Sequence, residues 1–270
     1  MLDSYTAAPT YLERFFGDGG PEEACRRCRS DAPFRRELRM AFQPIVDWDS
    51  RSVYAYEALV RGADGASAGS VLAQVRPEEQ YAFDQTCRVL AIETAQRLGI
   101  DCRLSVNFMP NAVYEPANCI QLTLAAAERV GLPTDRLIFE LTESEQIRQP
   151  EKVLQIVRDY QRRGFATAID DFGAGYSGLN LLADFQPQLV KLDMGLCRGI
   201  NRDRIRQAIV EGVRRTCAVL GCDVVAEGVE TREELACLHD LGIRLFQGYL
   251  VARPELEVLP RPDPAIYRLV

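Results

Sequence analysis

Eight apolar runs of strand length recur along the chain, and helical patterns separate nearly all of them. They are MAFQPIVD (40–47), VYAYEALVRG (53–62), RLSVNF (103–108), RLIFELTE (136–143), ATAIDDF (166–172), LVKLD (189–193), DVVAEGV (223–229) and RLFQGYLV (244–251). Strands alternating with helices build a parallel sheet under a helical cover. Eight such units in roughly 230 residues close into a barrel rather than an open sheet. The helices carry their own punctuation. Pro150 opens PEKVLQIVRDYQRRG and Gly164 closes it, Gly99 and Gly131 end two others, and Thr231 stands three residues before Glu234 at capping-box spacing. One connection breaks the rhythm. Asp47-Trp48-Asp49-Ser50 is too short for a crossover helix, so the first two strands are expected to form an antiparallel hairpin. The expected fold is α/β, a modified TIM (β/α)8 barrel with an antiparallel first strand.

The flanks read differently. Residues 1–35 are polar and broken by Gly17-Asp18-Gly19-Gly20-Pro21, an arm with one or two helical turns. The barrel is expected over 36–256, and the proline-rich 257–270 reads as a tail. The N-terminus lacks the basic and apolar regions of a secretory signal, and no apolar run is long enough to span a bilayer, so a cytoplasmic location is expected. A net charge of −7 and a pI near 5.0 argue against DNA or a membrane surface as a partner. Nine irregularly spaced cysteines read as reduced thiols rather than a disulfide framework. Cys25 and Cys28 form a lone CxxC with no second pair at zinc-site spacing and no strand-to-helix setting for redox chemistry; the reading favoured is a pair of reduced thiols, with a role for them left open. The single histidine, His239, falls at a helix end. Histidine-rich metal chemistry is excluded, and any metal must be held by oxygen.

The polar residues that interrupt these runs fall in register. Glu57, Asn107, Glu140, Asp170 with Asp171, Lys191, Glu227 and Gln247 each follow a short apolar stretch on seven consecutive strands. Barrel strands are buried on both faces, so surface polarity does not account for such a series, and chemistry in this architecture sits at the C-terminal strand ends. Five carboxylates at one mouth, two of them adjacent, repel one another unless a cation lies between them. Mg²⁺ or Mn²⁺ prefers such oxygen donors. Two ions together are the usual device for cleaving a phosphoester in line.

These residues stand in motifs that carry a resemblance. FQPIVD, YEALVRG, NFMP, ELTES, DDFGAGYSGL, VKLD, AEGVET and FQGYLVARP, in this order over roughly residues 38–255, resemble the EAL-domain phosphodiesterases. The stretch GSVLAQVRPEEQYAFDQTCRVLAIETAQRLG is similar to EAL domains coupled to blue-light sensors, although no flavin-binding sensor pattern stands in this sequence. The resemblance implies hydrolysis of cyclic di-GMP to linear 5′-pGpG with two Mg²⁺ or Mn²⁺ ions, Ca²⁺ occupying the site without turnover. It implies a metal set of Glu57, Asn107, Glu140, Asp170, Asp171 and Glu227. Lys191 would orient or activate the attacking water, with Glu57, Glu227 and Gln247 completing the catalytic group. Gln43 and Arg61 would touch the ligand, Arg61 by a forked contact to phosphate. Glu143 would brace the loop after Asp171, a loop that also belongs to the homodimer contact. That loop departs from the family's DDFGTGYSSL: Ala174 and Gly178 remove two hydroxyls, and Gly178 adds backbone freedom. Gly62, where an aromatic is common, is expected to alter the wall of the site.

Two other readings compete. EAL domains that have lost metal ligands serve as cyclic di-GMP receptors signalling through a partner, but every ligand position is filled here. A Schiff-base aldolase on Lys191 needs a depressed lysine pKa, which five neighbouring acids oppose. Regulation is expected from a partner protein, dimerisation or expression level.

Overall fold

Antiparallel pairing of the first two strands sets the barrel going. In the computed structural model, which describes residues 10–16, 34–109, 119–142, 150–175 and 178–268, β1 (Leu38–Asp47) runs against β2 (Ser52–Gly62) along its whole length. The connection is as tight as its four residues require. Asp47 accepts hydrogen bonds from the backbone N–H of Asp49 and Ser50, both at 3.1 Å, the local side-chain closure that favours aspartate in turns.

From β2 the sheet proceeds in parallel through β3 (Arg103–Phe108), β4 (Leu137–Thr142), β5 (Ala166–Phe172), β6 (Leu189–Leu192), β7 (Asp223–Ala226) and β8 (Leu245–Phe246). β8 then pairs antiparallel with β1 and closes the barrel. A short β9 (Glu255–Leu256) continues along the same edge of β1. The described helices are α1 (Tyr11–Phe16), α2 (Ala68–Leu72), α3 (Gln80–Arg97), α4 (Gln121–Val130), α5 (Pro150–Arg162), α6 (Gly178–Asp184), α7 (Met194–Cys197), α8 (Arg204–Leu220) and α9 (Arg232–Asp240). The capping box at α9 is complete: Glu234 N–H donates to Thr231 Oγ1 at 3.2 Å and Thr231 N–H to Glu234 Oε2 at 3.0 Å.

Two strands are shorter than their apolar runs. Gly228, two residues past β7, turns left-handed at φ 62°, and at Gly248, two residues past β8, a Cβ would stand 2.1 Å from the Val229 carbonyl oxygen. The two loops therefore touch backbone to backbone, and Glu227 and Gln247 occupy the first loop position rather than the strand. The segment after residue 256 lies on the barrel. Ile266 is buried, the Tyr267 ring sits 5.0 Å from Trp48, and Tyr56 Oη donates to the Pro260 carbonyl at 3.1 Å.

The seven cysteines of the described residues stand outside any disulfide, Cys119, Cys197, Cys217 and Cys222 being buried, while Cys25 and Cys28 lie outside the described residues. His239, in the last turn of α9, meets Asp49 Oδ1 at 3.2 Å. Among the described residues, no helix is long and apolar enough to cross a membrane.

Candidate active site

Strand alternation stacks the barrel interior in two rings. Ile45, Ala55, Ile138, Ala168, Leu189, Val225 and Leu245 form one apolar cluster inside. Two residues nearer the mouth stand Gln43, Glu57, Glu140, Asp170 and Lys191 on their strands, as a period of two requires, with Glu227 and Gln247 at the first position past β7 and β8. β3 adds Asn107 to the upper ring and breaks the lower one with a polar residue. Ser105 lies there, fully buried, and donates to Glu140 Oε1.

Lys191 stands at the centre. Its Nζ lies 2.6 Å from Glu227 Oε1, 2.9 Å from Glu140 Oε2, 2.9 Å from Asp170 Oδ1 and 3.4 Å from Glu57 Oε2. Burial opposes a charged amine, yet Asp170, Glu140, Glu227 and Glu57 together hold the Lys191 ammonium well above the usual lysine range. One cation does not balance this many acids. Burial, with neighbouring carboxylates adding to it, pushes Glu140 up to about 8 and Asp171 up to about 6, and raises Glu227 well above the carboxylate range. Although close to the ammonium, the buried Asp170 Oδ1 is out of hydrogen-bond alignment and accepts no hydrogen bond.

Glu57 is the hub of the amides. Its Oε2 accepts from Gln247 Nε2 at 2.7 Å and its Oε1 from Asn107 Nδ2 at 3.2 Å. Gln247 also reaches Gln43 Oε1 at 3.4 Å, and Gln43 Nε2 donates to the Ala252 carbonyl at 3.0 Å.

Adjacent residues on a strand face opposite ways, so Asp170 and Asp171 need a device to share one mouth. The pairing of β5 with β6 breaks register between Ile169 and Phe172, and Asp171 takes a left-handed φ of 54°. Such a conformation costs about 1–3 kcal/mol outside glycine and collects at functional sites. Its effect is to bring one oxygen each of Asp170, Asp171 and Glu227 within 4.8 Å of one another.

The remaining expected residues are placed unevenly. Arg61 Nη1 donates to the Val60 carbonyl at 2.8 Å, so its guanidinium folds back on its own strand. Glu143 lies outside the described residues. Ala174 N–H donates to the Asp171 carbonyl at 3.0 Å, a backbone closure of the loop where the hydroxyl is missing. A Cβ on Gly62 would meet Asp64 Oδ1 at 2.6 Å, so that glycine serves the turn beyond β2. The cleft over the carboxylates is also lined by Met194, Arg198, Glu230 and Tyr249, which sequence reading missed. Arg198 pairs with Glu230, and the Arg253 guanidinium lies 4.2 Å from the Tyr249 ring centre. Tyr249 was findable, two residues past Gln247, whereas the Arg198–Glu230 pair joins separate loops with no local pattern. A wider groove lined by Tyr11, Leu90 and Val130 holds none of the mouth carboxylates.

The family model described as the EAL domain matches residues 27–254. The chain belongs to the EAL domain family. Among solved EAL structures, it is similar to a standalone versatile EAL protein from Vibrio cholerae O395 in its c-di-GMP bound form. The two share 47% identity at a TM-score of 0.84, over 86% of this chain and 98% of that one. Klebsiella pneumoniae BlrP1, in its manganese/cy-diGMP complex at pH 9.0, is 36% identical at a TM-score of 0.78, over 91% of this chain and 66% of that one. Of curated relatives, the blue light- and temperature-regulated antirepressor BluF of Escherichia coli (strain K12) is 33% identical over 221 residues. That match spans 82% of this chain and 55% of BluF. The cyclic di-GMP phosphodiesterase PdeR of the same strain is 33% identical over 230 residues, 81% of this chain and 34% of PdeR. This EAL chain thus spans about half the length, or less, of the curated relatives it matches.

The raised acids give the EAL barrel a pH signature. An acid whose folded-state pKa lies above its unfolded value contributes stability that is complete below the unfolded value and is lost as pH rises through the folded one. With EDTA present, the melting temperature is expected to fall between about pH 5 and pH 8, as Glu140, Asp171 and Glu227 are forced to ionise. Saturating Mn²⁺ is expected to flatten that slope, because it competes with protons for the same oxygens. A melting series in EDTA and in Mn²⁺ checks both, and a flat profile in EDTA would refute the account of the mouth as an over-charged cluster.

Proposed function

We propose that this chain is a cytoplasmic, metal-dependent phosphodiesterase that hydrolyses cyclic di-GMP to linear 5′-pGpG. The observation that carries the reading is the convergence of Asp170, Asp171 and Glu227, one oxygen of each lying within 4.8 Å of the others. Oxygen-only donors in excess of the available positive charge suit hard divalent cations, Mg²⁺ or Mn²⁺. Glu57, Asn107, Glu140, Asp170, Asp171 and Glu227 would hold two such ions. When bound, the ions supply Lewis acidity that polarises the phosphate and lowers the pKa of the attacking water.

The chain's own groups do the rest. Lys191, surrounded by four carboxylates, stays an ammonium and so cannot serve as a base. It donates hydrogen bonds, orienting the attacking water and neutralising charge that develops on phosphate oxygens. Gln247 fixes Glu57 and leaves its own buried Oε1 unpaired, an acceptor for a water proton. Gln43 contacts the dinucleotide from β1, and Arg61 swings off the Val60 carbonyl to take a phosphate by its forked edge. The chain would work as a homodimer controlled by a partner protein, by dimerisation itself or by expression level, with Glu143 bracing the loop after Asp171.

One observation favours a second reading. BluF is named an antirepressor rather than a hydrolase, so an EAL chain that binds cyclic di-GMP without cutting it is the alternative. The test is incubation of the purified protein with cyclic di-GMP in Mg²⁺, Mn²⁺, Ca²⁺ or EDTA, with products resolved by chromatography. Linear pGpG is expected with Mg²⁺ or Mn²⁺ and none with Ca²⁺ or EDTA. Binding without product in every metal would establish the receptor instead.

A further inference from the structure

Behind the strand ends that deliver Asn107 and Glu140, outside the barrel wall, the protein buries an ion pair. Asp84 and Arg88, one turn apart on α3, are 3% and 0% exposed, and Arg88 Nη2 donates to Asp84 Oδ2. The guanidinium lies 4.9 Å from the ring centre of Phe108 and 5.4 Å from that of Phe139. The Tyr160 hydroxyl stands 3.5 Å from Arg88 Nη1. The second Asp84 oxygen, Oδ1, accepts the backbone N–H of Met109 at 3.0 Å.

A pair this deeply buried is a poor source of stability, because desolvating two charges offsets their attraction, and apolar residues of similar volume often serve as well. Apolar residues would not accept the Met109 N–H. That group is the first backbone donor beyond β3, two residues after Asn107. The aromatic contacts act on the same place. Phe108 follows Asn107, Phe139 precedes Glu140, and Asn107 and Glu140 are register partners on β3 and β4. By alternation, each ring faces outward onto Arg88 while its neighbour faces the mouth.

We propose that Asp84, held in place by Arg88, is a positioning residue: it anchors the exit of β3 and thereby sets Asn107 and Glu140 at the mouth. The proposal rests on the metal-binding reading for its affinity readout alone; the anchoring itself is read without metal.

The test compares two double variants of the full chain. Asp84→Leu/Arg88→Met replaces the pair by apolar groups and removes the acceptor; Asp84→Asn/Arg88→Met also removes both charges but keeps an oxygen for Met109. Both are expected to melt close to the parent. In the leucine variant, Mn²⁺ affinity by calorimetry is expected to fall about 10–100-fold, the usual effect of losing a group behind a metal ligand. The Met109 amide, followed by hydrogen exchange in EDTA, is expected to exchange at least about tenfold faster once its acceptor is gone. The asparagine variant is expected to restore both. Parental Mn²⁺ affinity and parental Met109 exchange in the leucine variant would overturn the proposal, as would equal losses in the two variants. Should the leucine variant not fold, Met109→Pro removes the N–H and leaves the pair intact, and unchanged Mn²⁺ affinity there would overturn it equally. A parent protein that takes up no Mn²⁺ would sink the metal reading, and the exchange rates would still decide the anchoring role.

Discussion

Glu57→Ala is expected to lower cyclic di-GMP turnover by about 10³-fold or more, since loss of a group that holds an activating ion forfeits several kcal/mol at the transition state. The structure explains why one residue carries so much. Glu57 receives Gln247 at 2.7 Å and Asn107 at 3.2 Å and faces Lys191 at 3.4 Å, so it ties β2 to β8, β3 and β6 at once. Truncation removes the Asn107 acceptor and the shorter of the two Gln247 hydrogen bonds, and leaves Lys191 with three carboxylates. The fold is expected to survive, because the apolar ring beneath, with Ala55 as the β2 member, is untouched. Turnover assays beside circular dichroism decide the matter: full activity in a folded variant would remove Glu57 from the site, and an unfolded variant would make it structural.

Lys191→Met is expected to do the opposite, striking stability first. Removing the ammonium leaves Glu140, Asp170, Glu227 and Glu57 facing one another in a buried space. Breaking a buried ion pair from one side costs about 3–5 kcal/mol. For a chain of this size that corresponds to a fall in melting temperature of the order of 10 °C. The deficit is expected to be largest in EDTA near pH 8 and to shrink as pH falls, because the carboxyls can then take up protons. Mn²⁺ is expected to restore much of the stability without restoring turnover, as it supplies charge but not the oriented ammonium hydrogens. An unaltered melt in EDTA at pH 8 would show that Lys191 does not balance these acids.

Much of this site is legible in the sequence because alternation is strict inside a barrel. Once Ile138, Ala168, Leu189 and Val225 are recognised as an inward ring, Glu140, Asp170, Lys191 and Glu227 must face the same way two residues on. The short connection after Asp47 likewise reveals the reversed first strand. What escapes is whatever alternation does not govern. Asp171 faces the mouth through a left-handed residue at a register break, and the sequence DDF does not say which aspartate will turn. β7 and β8 stop early because two glycine loops touch, a contact between segments about twenty residues apart. Arg198 and Glu230 meet only through folding. Asp84 and Arg88 look like an ordinary exposed i, i+4 pair on a helix, and nothing local announces that they are buried.

The closing seam of the barrel has a mechanical side. β8 and β1 share backbone register only at Phe246 with Val46 and Leu245 with Asp47, and β9 takes up the same edge of β1 again at Ala41 and Phe42. Between those two backbone pairings, side chains take over: Gln247 reaches across to Gln43 and Glu57, and Gln43 grips the Ala252 carbonyl. That gap in the seam is laced by the amides that seat Glu57, so the hairpin of β1 and β2 behaves as a door whose latch also belongs to the site. Tension across that seam would slip the latch before it unzipped any long strand, and Glu57 would lose its seat before the barrel came apart.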